Sequence, residues 1–277
     1  MPTGPRLSSL YRTAFVTGAS TGLGRAFAKM LLDQGVRVWG TARDVARLDE
    51  LSAMPTFTPV RLELKDAAEA ERVFQAALQA AGGFDIVINN AGYGVFGDFA
   101  ETEFAVWQEQ IEVMLISTAR LSHAALRAMR VRGSPAALVN ISSLAAEFPL
   151  PFQSIYNVVK AGLTALNESL MIETAGSQIV ILDVRPGDYR TDFESSVRRP
   201  TQLTAGGMTR TWTAFARMMQ SGPDPSHAAS ALRRALWRRR SQTVRCGRFF
   251  QAAIAPLLAR FGSLGLRRRI QARYFNL

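Results

Sequence analysis

Tyr156 and Lys160 stand four residues apart in the stretch SIYNVVK, which places a phenol and an ammonium group on one face of a helix. A free phenol titrates near pH ~10, so it is a poor acid or base at neutral pH. A neighbouring cation favours the phenolate. The pair therefore predicts a phenol whose proton can be transferred. A solvated tyrosine and lysine on a helix surface are the alternative, which other motifs must outweigh.

A glycine-rich loop, TGASTGLG at 17–24, predicts a site for a dinucleotide. Glycines permit a tight turn and a close approach of the backbone to a ligand, and the free N–H groups of a helix start favour a pyrophosphate. The candidate cofactor-binding residues of this loop are Gly18, Ser20, Thr21, Gly22, Leu23 and Gly24. The spacing differs from G-x-G-x-x-G, and an ordinary turn between a strand and a helix could carry the same glycines.

The end of the second predicted strand, TARD at 41–44, indicates which dinucleotide binds. An acidic residue in this region usually accepts hydrogen bonds from the adenosine ribose. Ala42 takes the expected carboxylate position and Arg43 follows it. A guanidinium group pairs bidentately with a 2′-phosphate, which favours NADP(H) over NAD(H). Asp44 leaves the other choice open, because a shift of one residue would supply a carboxylate.

The elements that must position these residues alternate along the chain. The predicted strands are 13–18, 36–42, 57–64, 84–92, 136–143, 178–184 and 243–247, and the predicted helices are 23–34, one from about 45, 66–81, 103–131, 152–175 and 225–238. The expected fold class is α/β, a Rossmann-like doubly wound parallel sheet of about seven strands with helices on both faces. We expect one dinucleotide-binding catalytic domain over 1–277, with a substrate-side region at 192–223 and a basic C-terminal extension at 248–277.

Composition limits the classes of function. The chain has 277 residues, of which 48% are hydrophobic, and no run of about 18 apolar residues marks a membrane span. Cys246 is the single cysteine, and His123 and His227 stand apart from each other and from any cluster with zinc spacing. The start of the chain lacks the pattern of a signal peptide. These features predict a cytoplasmic protein without a metal.

Four motifs in register resemble the short-chain dehydrogenase/reductase family over residues 13–191. They are TGASTGLG, NNAG at 89–92, a serine upstream of Y-x-x-x-K, and PGDYRT at 186–191. Tyr156 lies 13 residues after Ser143, a spacing typical of that family, and this selects Ser143 over Ser142. The TAR strand end and the NNAGYGVFG stretch look like the branch of retinol and 17β-hydroxysteroid dehydrogenases.

The resemblance implies a reaction and a role for each matching position. Tyr156 would be the general acid/base, Lys160 would bind the nicotinamide ribose and lower the pKa of the phenol, and Ser143 would hydrogen-bond the substrate oxygen. The protein would be an NADP(H)-dependent oxidoreductase that interconverts an alcohol and a carbonyl by hydride transfer, and a homo-oligomer. Further positions implied to contact the cofactor are Glu63, Asn90, Ala91, Gly92, Pro186, Gly187 and Thr191.

Met114 departs from the family pattern, which usually has an asparagine here that helps to hold a water next to the lysine. A thioether sulfur accepts hydrogen bonds weakly, so the proton relay would be altered or would use backbone groups. At the end of the third strand, Glu63 replaces the usual aspartate beside adenine. Met114 keeps open an alternative function, a dinucleotide-binding sensor or scaffold with little turnover.

Apolar residues in the loops after the strands predict the substrate-side wall. These are Val95, Phe96, Leu144, Phe148, Leu150, Phe152, Tyr189 and Phe193. Each could instead pack beneath its own loop. Together they favour a small apolar substrate of the steroid, retinoid, terpenoid or long-chain type.

Charge is divided unevenly along the chain. The net charge is +11, yet residues 195–277 hold 16 arginines and a single acid, Asp224. Together with the apolar residues around them, these arginines favour a packing lid or an oligomer contact, with peripheral membrane contact as the alternative. Binding to nucleic acid is not expected, because no aromatic residues interleave the arginines in a recognisable module.

Overall fold

The computed structural model describes residues 6–201, 206–254, 256–257, 261–275 and 277. Within these residues, seven parallel strands form one sheet in the order β3-β2-β1-β4-β5-β6-β7. The strands are β1 (Thr13–Val16), β2 (Arg37–Ala42), β3 (Phe57–Arg61), β4 (Ile86–Asn89), β5 (Ala136–Ile141), β6 (Ile179–Pro186) and β7 (Gln242–Cys246). The predicted Rossmann-like sheet is confirmed.

Helices cover both faces of the sheet. They are α1 (Gly22–Asp33), α2 (Asp49–Ser52), α3 (Ala67–Ala81), α4 (Phe104–Ile111), α5 (Ser117–Arg132), α6 (Ser154–Glu173), α7 (Phe193–Ser196), α8 (Gly206–Gln220), α9 (Pro225–Arg238) and α10 (Leu264–Tyr274). On β1, Phe15 packs with α3, α5 and α6, whereas Ala14 and Val16 pack with α1 and α9. This alternation makes two apolar layers, one on each face, as expected for a buried parallel sheet.

Strands β3 and β4 each end three residues before the end that the sequence predicts. β3 ends at Arg61 and β4 at Asn89, because side chains capture the backbone N–H groups that follow. The N–H of Leu64 donates to Oε1 of Glu63 at 2.8 Å, and the N–H of Asn90 donates to Oγ1 of Thr17 at 2.9 Å. The chain therefore turns away from the sheet earlier and leaves its carboxyl edge open.

The predicted helix at 103–131 is interrupted by a π-helical segment, Glu112–Ile116, between α4 and α5. Such wide turns within a helix often occur at functional sites. Met114 lies in this segment and is 1% exposed. The widening places position 114 against the carboxyl edge of the sheet.

The last third of the chain returns to that same edge. Helix α9 packs against α1, and β7 extends the sheet beside β6. A second π-helical segment, Phe250–Ile254, and α10 follow. Arg267 on α10 donates from Nη2 to the carbonyl of Glu147 at 3.2 Å, and Gln271 donates to the carbonyl of Pro149 at 2.8 Å. The basic extension thus packs on the loop after β5, and none of the described helices is both long and apolar enough to cross a membrane.

Candidate active site

A large cavity of about 930 Å³ lies at the carboxyl edge of the sheet. Its location agrees with the rule that ligands of open α/β sheets bind outside the carboxyl ends of the strands, where the strand order reverses. The reversal here falls between β1 and β4. The glycine loop lines one end of the cavity, and Ser143, Tyr156 and Lys160 line the other.

The first two turns of α6 carry the phenol and the ammonium group. Tyr156 and Lys160 are 8% and 5% exposed, so neither is a solvated surface residue. Nζ of Lys160 lies 5.5 Å from the centre of the Tyr156 ring and donates to the carbonyl of Ile141 at 2.8 Å. That hydrogen bond connects α6 to the end of β5, and Ser143 lies just after this strand.

Ser143 joins this pair from the other side of the cavity. Its hydroxyl accepts a hydrogen bond from the N–H of Ala145 at 3.0 Å and lies 3.5 Å from the carbonyl of Pro186. It is also close enough to the Tyr156 phenol to lower the pKa of that phenol. The three side chains that the sequence indicated as catalytic are therefore brought together by β5, α6 and the end of β6.

Burial decides how the phenol titrates. It raises the pKa of Tyr156 to about 12, against a smaller lowering by the Ser143 hydrogen bond, and the charge of Asp188 raises it further. Lys160 is not among the groups that shift the pKa of Tyr156, so the lowering by Lys160 that the resemblance implies stays a prediction. Burial also lowers the pKa of Lys160 to about 8, with an opposing effect from Asp183. At neutral pH the phenol is protonated, as a proton donor must be.

The glycine loop has the geometry of a phosphate cradle. Gly18 and Gly22 have positive φ values of +67° and +53°, which L side chains rarely adopt. At Gly24 an added Cβ would lie 2.1 Å from the carbonyl oxygen of Gly18, so a side chain cannot fit there. Thr21, the residue before α1, makes no side-chain cap, which leaves the first N–H groups of the helix for a ligand. This donor set fits a pyrophosphate.

At the end of β2 the cavity is lined by Arg43, Asp44 and Arg47. The carboxylate of Asp44 accepts a hydrogen bond from the N–H of Ala46 at 3.1 Å and thereby caps the 3-10 turn Val45–Leu48. Arg47 was missed from sequence, although its position one turn after Arg43 could have indicated it. Two guanidinium groups therefore border the region where an adenosine ribose would lie.

The NNAG stretch after β4 forms the floor between the two ends of the cavity. Nδ2 of Asn90 donates to the carbonyl of Thr17 at 3.0 Å, which fixes this turn to the glycine loop. Ala91 and Gly92 line the cavity beside it, as does Glu63, whose carboxylate accepts from its own backbone neighbours. These four residues, which the sequence predicts to contact the cofactor, all line the cavity.

Met114 takes part in this floor. The N–H of Tyr93 approaches its sulfur at 3.5 Å, and an added Cβ at Gly92 would come within 2.9 Å of its terminal methyl group. The thioether thus fills space against the NNAG turn. These contacts indicate that Met114 has a packing role.

The loop after β6 closes the catalytic end. Pro186, Gly187 and Thr191 all line the cavity, and an added Cβ at Gly22 would come within 3.3 Å of the Thr191 side chain. The start of α1 and the loop after β6 therefore meet across the cleft, which encloses the point where a nicotinamide would reach Tyr156.

The predicted substrate wall is only partly assembled. Five of its eight residues line the cavity: Leu144, Phe148, Leu150, Tyr189 and Phe193. Val95, Phe96 and Phe152 do not. Phe96 and Phe152 pack with each other and with α8, in a separate cluster that includes Trp212 and Phe215. Val95 is 2% exposed and belongs to the core of one helix layer.

Phe152 is held away from the cavity by its backbone. Its φ of 58° is unusual for a residue with a side chain, and its carbonyl accepts the N–H of Gly97 at 2.9 Å. These loops have no periodic sequence pattern that would separate a cavity residue from a packed one.

The C-terminal part of the chain supplies wall residues that the sequence did not reveal. They are Phe215, Met218 and Met219 from α8, Phe250 and Gln251 from the second π-helical segment, and Ile270, Gln271, Tyr274 and Phe275 from the α10 region. Lys65, Glu109 and Arg198 also line the cavity, and Arg198 pairs with Glu109 at 2.8 Å. These residues lie far along the chain from the motifs, so no local sequence pattern indicated them.

Comparison with known proteins gives consistent matches. A family model described as short chain dehydrogenase matches residues 12–202. An uncharacterized oxidoreductase of Schizosaccharomyces pombe is 33% identical over 193 residues, 69% of this chain and 65% of that protein, hence just under two thirds of its length. Carbonyl reductase (NADPH) 2 of Sus scrofa is 32% identical over 191 residues, 69% of this chain and 77% of that protein. The structure of a short-chain dehydrogenase from Streptomyces avermitilis has a TM-score of 0.73 at 35% identity and covers 81% of this chain and 83% of its own.

Proposed function

The chain belongs to the short-chain dehydrogenase/reductase family of oxidoreductases, and we propose that it interconverts an alcohol and a carbonyl compound with NADP(H). One observation carries the proposal. Ser143, Tyr156 and Lys160 converge at one end of a cavity whose other end has the glycine loop and two arginines. Hydride transfer between a dinucleotide and a carbonyl substrate requires sites for both molecules in one cavity.

Three residues of the chain have separate roles in the reduction. The bound dinucleotide supplies the hydride in reduction and accepts it in oxidation. Tyr156 donates its proton to the substrate oxygen, which is favoured because the phenol is protonated at neutral pH. Ser143 donates a hydrogen bond to the same oxygen and stabilises its developing negative charge. Lys160 keeps a positive charge beside the phenolate that remains.

Arg43 and Arg47 support the choice of NADP(H) over NAD(H). Both line the cavity at the end of β2, where Ala42 offers no carboxylate. The nearest acid, Asp44, already caps the following turn. The similar Sus scrofa protein is named for NADPH, in line with this preference.

The substrate is expected to have an apolar body. Five side chains of the wall, together with Met218, Met219 and Ile270, give the substrate end an apolar surface. Steroid, retinoid, terpenoid and long-chain carbonyl compounds remain the candidate classes. The likeness to the retinol and 17β-hydroxysteroid branch stays a prediction.

The direct test is a panel of carbonyl compounds and alcohols, with NADPH consumption or formation followed by absorbance and NADH compared in parallel. We expect turnover of at least one apolar ketone or aldehyde, faster with NADPH than with NADH at low cofactor concentration. Tight binding of NADPH with no turnover on the whole panel would contradict the proposal.

That contrary result would favour the second candidate, a dinucleotide-binding sensor or scaffold. The observation behind it is Met114, whose sulfur packs against Tyr93 and Gly92 where the family pattern has a water-holding asparagine. The complete Ser143, Tyr156 and Lys160 cluster favours the enzyme.

The surface of the C-terminal segment has features that favour contact with another copy of the chain or with a membrane. Phe249, Phe261 and Leu264 are exposed on the same C-terminal segment as the exposed arginines Arg268 and Arg269. We expect this surface to contribute to a homo-oligomer of a cytoplasmic protein that does not bind nucleic acid, with peripheral contact to an anionic membrane as the alternative. Light scattering and co-sedimentation with phosphatidylserine vesicles distinguish the two.

A further inference from the structure

A carboxylate lies at the substrate end of the cavity, among side chains that are otherwise mainly apolar. Asp188 follows Pro186 and Gly187 at the end of β6 and lines the cavity. Its charge raises the pKa of Tyr156, so it is close to the reacting phenol. Proton transfer by Ser143, Tyr156 and Lys160 does not require a carboxylate at this position.

The C-terminal segment holds this carboxylate from one side. Nε2 of Gln251 donates a hydrogen bond to Oδ2 of Asp188, and the Tyr274 hydroxyl donates to the same oxygen at 3.4 Å. Nε2 of Gln251 also lies 2.8 Å from the Tyr274 hydroxyl, which joins the two donors. Among the described residues no donor reaches Oδ1, so that oxygen is available to a ligand.

This arrangement is unfavourable for the fold alone. Burial raises the pKa of Asp188, which reflects the cost of desolvating its charge. Oε1 of Gln251 is buried without a hydrogen-bond partner among the described residues, and an added Cβ at Gly187 would come within 2.7 Å of it. A desolvated acid at the wall of a mainly apolar cavity points to a polar group on the ligand.

The surrounding charge indicates which polar group. Arg248 lies near enough to Asp188 to lower the pKa of the carboxyl, and it also donates to the carbonyl of Ser221. Because one cation already offsets the carboxylate, its attraction for a second cation on the ligand is reduced, whereas the desolvation of a cation costs more than that of a neutral donor. A hydroxyl group meets this requirement.

We propose that Asp188 accepts a hydrogen bond from a hydroxyl group of the substrate close to the reacting carbonyl, and that Gln251 and Tyr274 position the carboxylate for it. Preferred substrates would then be hydroxy ketones with an apolar body, and the corresponding diols in the reverse direction. The inference rests on the proposed function and narrows its substrate class.

The test compares three ketones with NADPH: acetophenone, 2-hydroxy-1-phenylethanone and 4-hydroxyacetophenone. In Asp188→Asn the amide oxygen can serve Gln251 and Tyr274, which leaves an NH₂ group where the acceptor was. We expect kcat/KM for 2-hydroxy-1-phenylethanone to fall about 10- to 100-fold relative to acetophenone. Acetophenone and 4-hydroxyacetophenone should stay within about 3-fold, and the Kd of NADPH, measured by its fluorescence, should not change.

A matched pair of variants tests the positioning role. Gln251→Leu removes a donor to Asp188 and should lower the same ratio by about 3- to 10-fold. Arg267→Leu removes a donor of the same C-terminal segment that bonds the Glu147 carbonyl and does not line the cavity, so it loosens the segment without touching Asp188. It should leave the ratio unchanged.

Three results would overturn the inference while ketone reduction persists. They are an unchanged ratio in Asp188→Asn, equal losses for all three ketones, and a weaker NADPH Kd with the ratio preserved, which would assign the carboxylate to the cofactor. A wild-type protein that binds NADPH and reduces none of the ketones would instead contradict the proposed function, and this inference with it.

Discussion

Residues 13–246, which hold the seven strands, and the described residues of 247–277 differ in where they place most of their large apolar side chains. In the first region Phe15 and Phe74 are fully buried and stack edge to face at 5.1 Å. In the second region Phe249 and Phe261 are 77% and 79% exposed. The first region closes its own core between helices and sheet, whereas the second closes a cavity and leaves apolar surface outside.

The two regions also differ in how they treat charge. Arg185 is 4% exposed and is paired with Asp183 at 2.6 Å and Glu147 at 2.6 Å, inside the sheet. Arg268 and Arg269 on α10 lie on the surface. Where side chains are buried and charges are paired, the structure follows closely from the sequence patterns. Where they are not, function depends on contacts between distant parts of the chain, such as the one between Asp188 and Gln251.

Two glycine variants sharpen this comparison. Gly24→Ala should weaken NADPH binding by about 100-fold or more and lower the melting temperature, because its Cβ would lie 2.1 Å from the backbone oxygen of Gly18. Gly265→Ala is the matched change in α10, where nothing lies within 4 Å of an added Cβ. It should leave binding unchanged and add up to about 1 kcal/mol of stability. Normal NADPH binding by Gly24→Ala would show that the loop is not the phosphate site.

Arginines of the two regions should differ in their effect on the cofactor. Arg43→Ala removes a charge-assisted contact and should weaken NADPH binding by about 10- to 150-fold, with the Kd of NADH nearly constant. Arg268→Ala, on the exposed face of α10, is the control and should change neither constant. Equal losses for NADPH and NADH in Arg43→Ala would mean that this residue does not bind the 2′-phosphate.

The pH profile tests the buried ammonium group. Lys160 is charged below its lowered pKa of about 8 and neutral above it, whereas Tyr156 stays protonated up to about 12. We therefore expect kcat/KM for ketone reduction to fall about tenfold per pH unit above pH ~8. A profile that stays level to pH ~9.5 would show that the charge on Lys160 is not needed.

The smallest effect is expected at Met114. If proton exchange with solvent limits the rate, Met114→Asn should raise turnover a few fold or shift its pH optimum. The buried amide could cost about 1–3 kcal/mol of stability, because the surroundings of this residue are shaped to a thioether. A pH–rate profile and a solvent isotope effect, recorded with a melting curve, decide between a relay and a packing role. Unchanged profiles in a folded variant would leave only packing.

The fold and the catalytic cluster could be predicted from the sequence because their signals are local. The alternation of buried strands and helices gave the parallel sheet, and Tyr156 and Lys160 share a helix face by spacing alone. Ser143 directly follows a strand, which brings it to the same edge. The strand and the helix that carry these residues determine where they lie, and both elements can be predicted from the local sequence.

The substrate end could not be predicted in the same way. Phe96 and Phe152 occur in loops without a period, and their partners Trp212 and Phe215 lie on α8, which the sequence pattern did not delimit. Tyr274 and Gln251 reach Asp188 only after the chain has folded back over the sheet. Such contacts depend on tertiary packing and leave no trace in neighbouring residues.

The measurement that tests the central claim most directly is turnover and cofactor affinity in Tyr156→Phe. The phenyl ring keeps the packing at 8% exposure but loses the proton, so ketone reduction should fall by about 10²- to 10⁴-fold while the Kd of NADPH stays within about 3-fold. Tyr11→Phe, which removes a buried hydroxyl bonded to the Leu236 carbonyl outside the cavity, controls for the loss of a phenol elsewhere. Near-normal turnover in Tyr156→Phe would contradict the assignment of the acid/base and with it the account of this site.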